Sequence, residues 1–428
     1  MRLTIESLAY GGAGVAHASD GIAVFVEGAC PGDVVDAEVI ERHPRHMVAR
    51  TVSVLEPSAD RVEPPCPYFG VCGGCQWQHI SLGAQHDAKQ RAVADALTRI
   101  GELDAAVAQL VPSPDDYGYR NKVELTAAPS PSGPVVGFAR LGTADILSID
   151  ECLLLPTSAR RAPRALRGAI RYLAGRSETQ IDRVSLRIAT TGDIEVDVWT
   201  PPGAFPRQLG AKVLADAVGA RTVTRVIAKG PGAARDVVRV EVLAGRGAWR
   251  ERLGDDTYLV SAPSFFQVNT RTAVAMRAHV EELAAAAAPA LVADVYAGVG
   301  TFTLPLARLA STIAIEGSSH ALGDLRRNLD AAALEADILP GDAEHALADV
   351  GDVDVIVVDP PRSGLGNDAT RALLGANAAR IVYVSCDPAT LARDAAVLAR
   401  EGYALISVMP FDLFPQTYHV ETVACLSR

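Results

Sequence analysis

The chain has 428 residues, of which 49% are hydrophobic, so it can bury more than one core and we expect two or three domains. It contains no uninterrupted apolar run of about 18 residues and no basic-then-apolar start, which argues against membrane-spanning and secreted classes. The net charge of -11 argues only weakly against a nucleic-acid partner, because local charge decides phosphate binding. We therefore expect a cytoplasmic monomer without a membrane partner.

Residues 1–57 alternate short β-like runs with glycine turns, and this spacing predicts a small antiparallel β-barrel. Basic residues crowd the end of this segment, between Arg42 and Arg50. A small barrel with a basic rim is a common oligonucleotide platform, although a solvated strand end explains the same residues equally well.

Three cysteines crowd into ten residues at Cys66, Cys72 and Cys75, and two glycines between the last two provide a tight turn. Cys152, far downstream, can supply a fourth thiol. In a cytoplasmic protein such thiols bind metal or do chemistry more often than they form disulfides. Four thiolates suit both zinc and a [4Fe-4S] cluster, so the spacing leaves both open. The C-x3-C-x2-C spacing of radical generators is absent.

Apolar residues at helical spacing predict one amphipathic helix over residues 81–100, with Gly101 as its stop. Residues 105–255 are rich in β-branched runs with one helical piece near 159–173, which indicates an α+β domain. From residue 290, short all-apolar strands alternate with Ala/Leu-rich helices, which predicts a doubly wound, mostly parallel sheet. The predicted domains are residues 1–57, 58–255 and 256–428.

A glycine-containing turn with Gly298 and Gly300 follows the first predicted strand of that sheet and precedes a helix. Glycines let the backbone pass close to a ligand at the helix N-terminus. Glu316 ends the second strand, where a carboxylate binds ribose hydroxyls in nucleoside-cofactor folds. Residues 301–303 lack the third glycine of a dinucleotide motif, which favours S-adenosylmethionine over NAD.

Two more carboxylates follow strands of this sheet, namely Asp342 after the third strand and Asp359 at the end of the fourth. Asp359 begins the turn Asp359-Pro-Pro-Arg362, in which the prolines fix a rigid bend. A carboxylate beside that bend can face the adenosine or the cation of the cofactor.

A candidate nucleophile and a candidate base occur near the end of the chain, Cys386 after an apolar strand and Glu421 at the start of another. Carbon 5 of a pyrimidine is too weak a nucleophile to attack a methyl sulfonium directly. Thiolate addition at carbon 6 creates an enolate that can attack, and a base must then remove the carbon 5 proton. A buried cysteine is usually a small hydrophobe, but the polar loop around Cys386 favours the reactive interpretation.

Taken together, these residues resemble the signature series of the bacterial uracil-5 RNA methyltransferases, and the N-terminal barrel resembles that family's TRAM domain. The motifs recur in order over nearly the whole chain. They are Cys66-x5-Cys72-Gly-Gly-Cys75, Tyr117-Gly-Tyr-Arg-Asn-Lys122, Ser264-Phe-Phe-Gln-Val-Asn269, Asp294-Val-Tyr-Ala-Gly-Val-Gly300, Asp359-Pro-Pro-Arg362, Ser385-Cys-Asp-Pro388 and Phe414-Pro-Gln-Thr-Tyr-His-Val-Glu421.

The resemblance implies a TRAM barrel, a cluster-bearing middle domain and a Rossmann-like catalytic domain that forms 5-methyluridine in RNA, with ribosomal RNA favoured over transfer RNA. It implies Cys386 as nucleophile, Glu421 as base and S-adenosylmethionine as donor. The implied donor contacts are Gln267, Tyr296, Gly298, Gly300, Glu316, Asp342 and Asp359, and the implied ligands of a [4Fe-4S] cluster are Cys66, Cys72, Cys75 and Cys152.

Two residues depart from the family pattern: Asp387 stands where many members have Asn, and Ala297 where many have Cys. Two other functions remain open. RNA cytosine-5 methylation also uses a cysteine adduct, but its enzymes usually carry a second cysteine in the strand-four loop, where this chain has Pro361 and Arg362. A non-catalytic iron-sulfur RNA-binding factor would not need Cys386 and Glu421.

Overall fold

The structure is a computed structural model that describes residues 1–177, 180–230 and 236–428. Its strands in these ranges are β1 (Arg2–Thr4), β2 (Ser7–Leu8), β3 (Gly14–His17), β4 (Ala23–Glu27), β5 (Val34–Arg42), β6 (His46–Glu56), β7 (Lys122–Ala128), β8 (Val135–Ala139), β9 (Ile146–Leu147), β10 (Arg183–Ile188), β11 (Ile194–Thr200), β12 (Thr222–Lys229), β13 (Asp236–Ala244), β14 (Trp249–Leu253), β15 (Asp256–Val260), β16 (Leu291–Val295), β17 (Ser311–Glu316), β18 (Asp337–Pro340), β19 (Val355–Val358), β20 (Arg380–Ser385), β21 (Ala404–Phe411) and β22 (Glu421–Ser427).

The α-helices in the same ranges are α1 (Leu82–Arg99), α2 (Ala162–Ala174), α3 (Arg207–Val218), α4 (Thr270–Ala285), α5 (Thr303–Leu309), α6 (Ser319–Ala332), α7 (Ala343–Ala346), α8 (Gly366–Gly375) and α9 (Pro388–Arg400). Among the described residues, no helix is both long enough and apolar enough to cross a membrane.

Backbone contacts divide the chain into two compact units. The first contains residues 1–116, 361–365 and 383–428, and the second contains residues 117–360 and 366–382. The predicted domain boundaries at residues 57 and 255 stay a prediction.

The first unit begins with a six-stranded sheet in the order β1-β5-β6-β4-β3-β2, around a core of aliphatic side chains. The predicted antiparallel arrangement is wrong at one place, because β4 and β6 pair in parallel. β5 and β6 are long and carry register shifts, and such bulges bend strands into small curled sheets. A Cβ atom at Gly14 would lie 2.9 Å from Ile5 and 3.0 Å from Ala29, so close packing inside this sheet requires glycine there.

Helix α1 confirms the helix predicted over residues 81–100. Ser81 caps it by accepting a hydrogen bond from the Ala84 amide, and Ile100 ends it. Lys89 on this helix is fully buried, and its ammonium lies 2.6 Å from a carboxylate oxygen of Asp412. It also donates to the Phe414 carbonyl oxygen at 3.0 Å. Burial opposes ionisation of Asp412, but Lys89 and His86 together hold the pKa of that carboxyl below its ordinary value.

In the second unit, strands β7 to β13 form a seven-stranded sheet in the order β13-β12-β11-β10-β7-β8-β9. Helices α2 and α3 bury apolar residues such as Leu166, Ile170 and Leu214 in a core shared with strands of this sheet. The predicted α+β texture and the helical piece near residues 159–173 are therefore confirmed, but the prediction of only one helix in this segment is wrong, because α3 is a second one. The buried side chains of α2 are all small or aliphatic. Its arginines occupy exposed or partly buried positions.

The remainder of the second unit contains four parallel strands in the order β18-β17-β16-β19. Strands β16, β17 and β19, with β20 after them in the chain, confirm the all-apolar strands predicted from residue 290 onward. The chain moves from β16 to one side through β17 and β18, and returns to the other side of β16 with β19. The carboxyl ends of β16 and β19 thus flank the point where strand order reverses, which is where ligands bind in open α/β sheets.

Substituting Lys89 with Met is expected to lower the free energy of unfolding by about 3–5 kcal/mol, because it leaves the buried Asp412 carboxylate without its closest cation. The double variant Lys89→Met with Asp412→Leu should recover most of this loss, since no buried charge is left unpaired. Urea unfolding measures both. Lys212→Met, at an exposed lysine, serves as the control, and a Lys89→Met variant as stable as this control would contradict the expectation.

Candidate active site

The turn after β16 has a backbone that few residues adopt. Tyr296 has a φ of 64°, and Gly298 and Gly300 have φ angles of 57° and 97°. At Gly300 a Cβ atom would lie 2.8 Å from Leu325 and 2.9 Å from Leu304, so this position requires glycine for packing as well as for conformation. A non-glycine residue at positive φ is uncommon, and such residues cluster at ligand sites.

Glu316, the last residue of β17, fixes this turn to the next strand end. Its carboxylate accepts hydrogen bonds from the Gly298 amide at 2.8 Å and from the Ser318 amide at 2.6 Å. The Glu316 carbonyl oxygen accepts from the Gly341 amide at 3.0 Å. Through its carboxylate and its backbone carbonyl, Glu316 therefore ties together the loops that follow β16, β17 and β18.

These loops surround a cavity of about 460 Å³. It brings together three of the residues predicted from the sequence, Tyr296, Glu316 and Asp342. The remaining lining residues are Ile315, Gly317, Ser318, Gly341, Ala343 and Glu344. A Cβ atom at Gly317 would lie 3.5 Å from a carboxylate oxygen of Asp342, so the absence of a side chain keeps this corner open. The cavity size suits part of a nucleoside-sized ligand.

Two further carboxyl groups, Asp294 and Asp359, lie at the ends of the neighbouring strands β16 and β19. Asp294 is fully buried and accepts a hydrogen bond from the Thr303 hydroxyl at 2.5 Å. Burial raises the pKa of Asp294 to about 7. Burial and the nearby Asp294 carboxylate together raise the pKa of Asp359 to about 7. These strand ends therefore hold carboxyl groups that change protonation near neutral pH.

Gln267 is buried in a segment that other parts of the second unit hold in place. The Asn121 side-chain amide donates to the Gln267 carbonyl oxygen at 2.9 Å and to the Thr270 hydroxyl at 2.9 Å. The buried Asp324 carboxylate accepts from the Ser264 hydroxyl at 2.7 Å. The motifs at residues 117–122 and 264–269 thus meet through hydrogen bonds. Within the described chain, Gln267 and Asp359 are not among the residues that line the 460 Å³ cavity.

Cys386 lies in the first unit, in a tight turn between β20 and α9. The Ser385 hydroxyl donates to the Asp387 carbonyl oxygen at 3.0 Å and accepts from the Asp387 amide at 3.2 Å. Asp387 caps α9, because its carboxylate accepts from the amides of Ala389 at 3.0 Å and Thr390 at 3.1 Å. A carboxylate is favourable at a helix N-terminus, so the departure at Asp387 is compatible with the turn.

Three side chains to which the sequence analysis gave no role at Cys386 surround this turn. The Tyr10 hydroxyl donates a long hydrogen bond of 3.4 Å to the Cys386 carbonyl oxygen. The rings of Tyr10 and Tyr418 meet edge to face with centroids 5.5 Å apart, and the Arg362 guanidinium lies 3.6 Å from the Asp387 carboxylate. Burial and the Asp387 carboxylate raise the pKa of Tyr10 well above its ordinary value, so its hydroxyl remains a donor.

Glu421 is the first residue of β22, is 7% exposed and lies opposite Phe411 in the β21–β22 pair. Cys386 and Glu421 thus belong to the same compact unit, each beside the end of a strand.

The loop before Glu421 is fixed at Gln416, a buried residue with a φ of 71°. The Gln416 amide donates to the Gln85 side chain at 3.0 Å, and the Gln85 side chain donates back to the Gln416 side-chain oxygen at 3.1 Å. The Gln416 carbonyl oxygen accepts from the amides of Gln76 at 3.1 Å and Trp77 at 3.0 Å. This residue therefore joins α1, the loop after Cys75 and the loop before Glu421.

Cys66, Cys72 and Cys75 are half-buried in one loop of the first unit, and Cys152 is half-buried in the second unit. All seven cysteines of the chain lie in its described part, and none forms a disulfide. Burial and the neighbouring Cys66 raise the pKa of the Cys72 thiol, while the Gly74 amide hydrogen-bonds to it and opposes this shift. Amide donors to cysteine sulfur are typical of metal-bound thiolates.

Comparison with known proteins identifies two parts of the chain. A family model described as TRAM domain matches residues 1–51, and one described as tRNA (Uracil-5-)-methyltransferase matches residues 346–428. A relative from Azoarcus, named 23S rRNA (uracil(1939)-C(5))-methyltransferase RlmD, is 34% identical over 99% of this chain and 99% of its own length. The chain belongs to the family of S-adenosylmethionine-dependent RNA uracil-C5 methyltransferases.

Other relatives agree with this family. An uncharacterized RNA methyltransferase from Gloeobacter violaceus is 35% identical over 99% of this chain and 95% of its own length. The crystal structure of the Pyrococcus abyssi tRNA (uracil-54, C5)-methyltransferase with S-adenosyl-L-homocysteine is similar, with a TM-score of 0.78 and 28% identity. That similarity covers 100% of this chain and 99% of the other. The predicted fold class, a Rossmann-like domain with an N-terminal TRAM barrel, is thereby confirmed.

Substituting Asp294 with Asn is expected to flatten the pH dependence of stability. Because the folded-state pKa of Asp294 is raised to about 7, the folded chain keeps a proton that the unfolded chain releases near its ordinary pKa of about 4. The carboxyl's contribution to stability is therefore complete below about pH 4 and is lost as the pH rises to 7, by at most about 4 kcal/mol. Urea unfolding between pH 4 and pH 7 should show that the free energy of unfolding of the variant increases, relative to that of the wild type, as the pH rises.

Asp337→Asn, at an exposed carboxylate in the same unit, is the matched control. A constant difference in unfolding free energy between Asp294→Asn and the wild type from pH 4 to pH 7 would contradict the raised pKa.

Proposed function

We propose that this protein transfers the methyl group of S-adenosylmethionine to carbon 5 of a uridine in RNA, with ribosomal RNA as its substrate. The observation that carries the proposal is the position of Cys386, in a capped and half-exposed turn rather than in a core. The preference for ribosomal RNA rests on the similarity over nearly the full length to the Azoarcus 23S rRNA enzyme.

In the proposed reaction, the Cys386 thiolate adds to carbon 6 of the uracil ring and creates an enolate. Carbon 5 of that enolate takes the methyl group from the sulfonium, which leaves S-adenosylhomocysteine as the second product. Glu421 then removes the carbon 5 proton, the carbon 5–carbon 6 double bond re-forms, and the thiolate leaves. Glu421 lies in a largely buried position, where a carboxylate is shielded from competing water.

Donor binding is assigned to the loops around Glu316. The Glu316 carboxylate already accepts two backbone amides, which orients its remaining lone pairs for ribose hydroxyls. Tyr296 and Asp342 line the same cavity, and Gly298 and Gly300 shape its turn. Asp359 and Gln267 complete the proposed donor site. Ionised Asp359 would favour the cationic sulfonium, so donor binding should strengthen as the pH rises through 7.

Cys66, Cys72, Cys75 and Cys152 are proposed to hold a [4Fe-4S] cluster. The support is the crowding of Cys66, Cys72 and Cys75 in one loop, where burial and the nearby Cys66 thiol raise the pKa of Cys72, together with the amide donor from Gly74. Metal binding favours the thiolate form of these cysteines, because only deprotonated thiols bind the metal and its positive charge offsets the repulsion between them. A cluster held by these thiols would restrain the loop that continues into Gln76 and Trp77.

Cys386→Ala is expected to abolish methyl transfer, and RNA containing 5-fluorouridine should trap wild-type Cys386 as a covalent adduct, because fluorine cannot leave as a proton does. Glu421→Gln should methylate once and accumulate the adduct, since nothing removes the carbon 5 proton. Denaturing gels with radiolabelled methyl donor measure both. Cys30→Ala, at a buried cysteine of the same unit, should retain activity.

Methylation by Cys386→Ala, or release of product from Glu421→Gln at the wild-type rate, would contradict these roles. Nucleoside analysis separates 5-methyluridine from 5-methylcytidine, and parallel assays on unmodified 23S ribosomal RNA and transfer RNA test the preferred substrate. Tight RNA binding without any methyl transfer would instead favour a non-catalytic factor.

The anaerobically purified protein is expected to be brown, to absorb near 400 nm and to contain about four iron atoms per chain. Cys72→Ser should lower the iron content and the absorbance. Metal analysis distinguishes the alternative, because stoichiometric zinc without colour would replace the cluster assignment with a zinc site.

A further inference from the structure

The segment from Arg160 to Arg176 has a local charge opposite to that of the whole chain. It contains six arginines and no acidic residue, whereas the whole chain has a net charge of -11. Arginine is common throughout this protein, but so are acidic residues, which number 51. Like charges three or four residues apart on a helix cost stability, and this segment has no internal carboxylate to offset that cost. Such an arrangement is more typical of a binding surface than of a solvated helix face.

Two arginines of this segment bind neighbouring loops of the protein. Arg167 donates to the Ile149 carbonyl oxygen at 2.8 Å and to the Asp150 carboxylate at 2.5 Å. Arg171 donates to the Pro134 carbonyl oxygen at 3.1 Å. Both side chains therefore anchor α2 to neighbouring loops of the second unit.

Arg161 and Arg164 have a different environment, although Arg164 lies close enough to the Asp150 carboxylate for an electrostatic interaction. Both are exposed and line an open groove of about 760 Å³ between α2 and α3. They are three residues apart, so their Cβ atoms lie within about 6 Å and their guanidinium groups can reach one phosphate or two adjacent ones. Gly168 continues the same wall, and a Cβ atom there would meet no other atom within 4 Å.

An aromatic ring ends this wall of the groove. Tyr172 is 44% exposed, and the Arg176 guanidinium carbon lies 3.8 Å from its ring centroid. The Arg176 guanidinium also donates to the Tyr172 carbonyl oxygen at 3.2 Å, which holds the pair in place. A ring backed by a guanidinium is a suitable stacking platform for an unpaired base. The opposite wall carries one acidic residue, Asp216 on α3.

We infer that the groove between α2 and α3 binds a single-stranded segment of the RNA substrate, with phosphates at Arg161 and Arg164 and a base against Tyr172. The surface deepens the proposed function and rests on it for the identity of the RNA. Charge complementarity selects this occupant, since the arginine wall attracts phosphates and the ring offers sequence-tolerant stacking. Asp216 restricts the backbone to the α2 side of the groove.

The test measures binding of a fluorescein-labelled, mixed-sequence 20-nucleotide RNA to the full chain at several salt concentrations. Arg161→Glu with Arg164→Glu should weaken binding roughly tenfold or more and reduce the slope of log affinity against log salt by about 1.5. Tyr172→Ala should weaken binding roughly tenfold with little change in that slope, because stacking releases no counterions. Asp216→Asn should bind more tightly than the wild type.

The matched control is Arg326→Glu with Arg371→Glu, which changes the net charge equally at exposed arginines of the same unit. Thermal unfolding confirms that each variant is folded. Wild-type affinity and salt slope in the Arg161/Arg164 variant, or equal losses in the control, would overturn the proposal. So would unchanged affinity in both Tyr172→Ala and Asp216→Asn.

Activity separates this proposal from the proposed function. With unmodified 23S ribosomal RNA, the Arg161/Arg164 variant should show a raised KM and an unchanged kcat. If the wild type methylates no RNA, the proposed function fails, whereas the binding comparison still decides whether α2 contacts RNA. A lowered kcat with unchanged KM would place these arginines outside RNA binding and would overturn the inference.

Discussion

The positions of the candidate catalytic residues depend on one constraint, the attachment of residues 412–416 to helix α1. Lys89 and Gln85 lie four residues apart, so one face of α1 presents an ammonium to Asp412 and an amide to Gln416. Both contacts are buried, where an unpaired group is costly, so the loop cannot leave this helix without a large loss of stability. Glu421 and Tyr418 receive their positions from that loop, and Tyr418 in turn contacts Tyr10 beside Cys386.

The proposed donor site depends on a different interaction, in which a carboxylate accepts hydrogen bonds from backbone amides. Glu316 joins three strand-end loops, and the left-handed backbone at Tyr296 and Gly300 brings the first of them across the sheet edge. Asp294 beneath it is fully buried, and its carboxyl accepts the Thr303 hydroxyl at the start of α5. The strained backbone and the buried carboxyl group thus lie at the sheet edge where the cofactor is proposed to bind. The apolar strands of the sheet core stabilise this edge.

Much of this arrangement could be predicted from the sequence because the signals are local. All-apolar runs predicted β16, β17, β19 and β20, and helical spacing predicted α1, since burial on one or two faces leaves a short-range pattern. Strand-end residues such as Glu316 and Asp342 could be placed at one edge because parallel strands end together. Tyr10, Gln416 and the Arg362–Asp387 ion pair were missed, because their partners lie far away in the chain and nothing near them marks the contact. The parallel pairing of β4 with β6 was missed for the same reason.

The division of the first unit among three stretches of chain has a consequence for biosynthesis. The Gln85–Gln416 hydrogen bond spans 331 residues, and the Lys89–Asp412 hydrogen bond spans 323. Contacts of such sequence separation form late, since the intervening chain must first be closed into a loop. During synthesis, α1 and the cysteine loop therefore lack these contacts until residues 412–416 have been made. The strands of the N-terminal barrel all come from residues 1–56, whereas the candidate nucleophile and base become an ordered pair only after residues 412–421 have been synthesised.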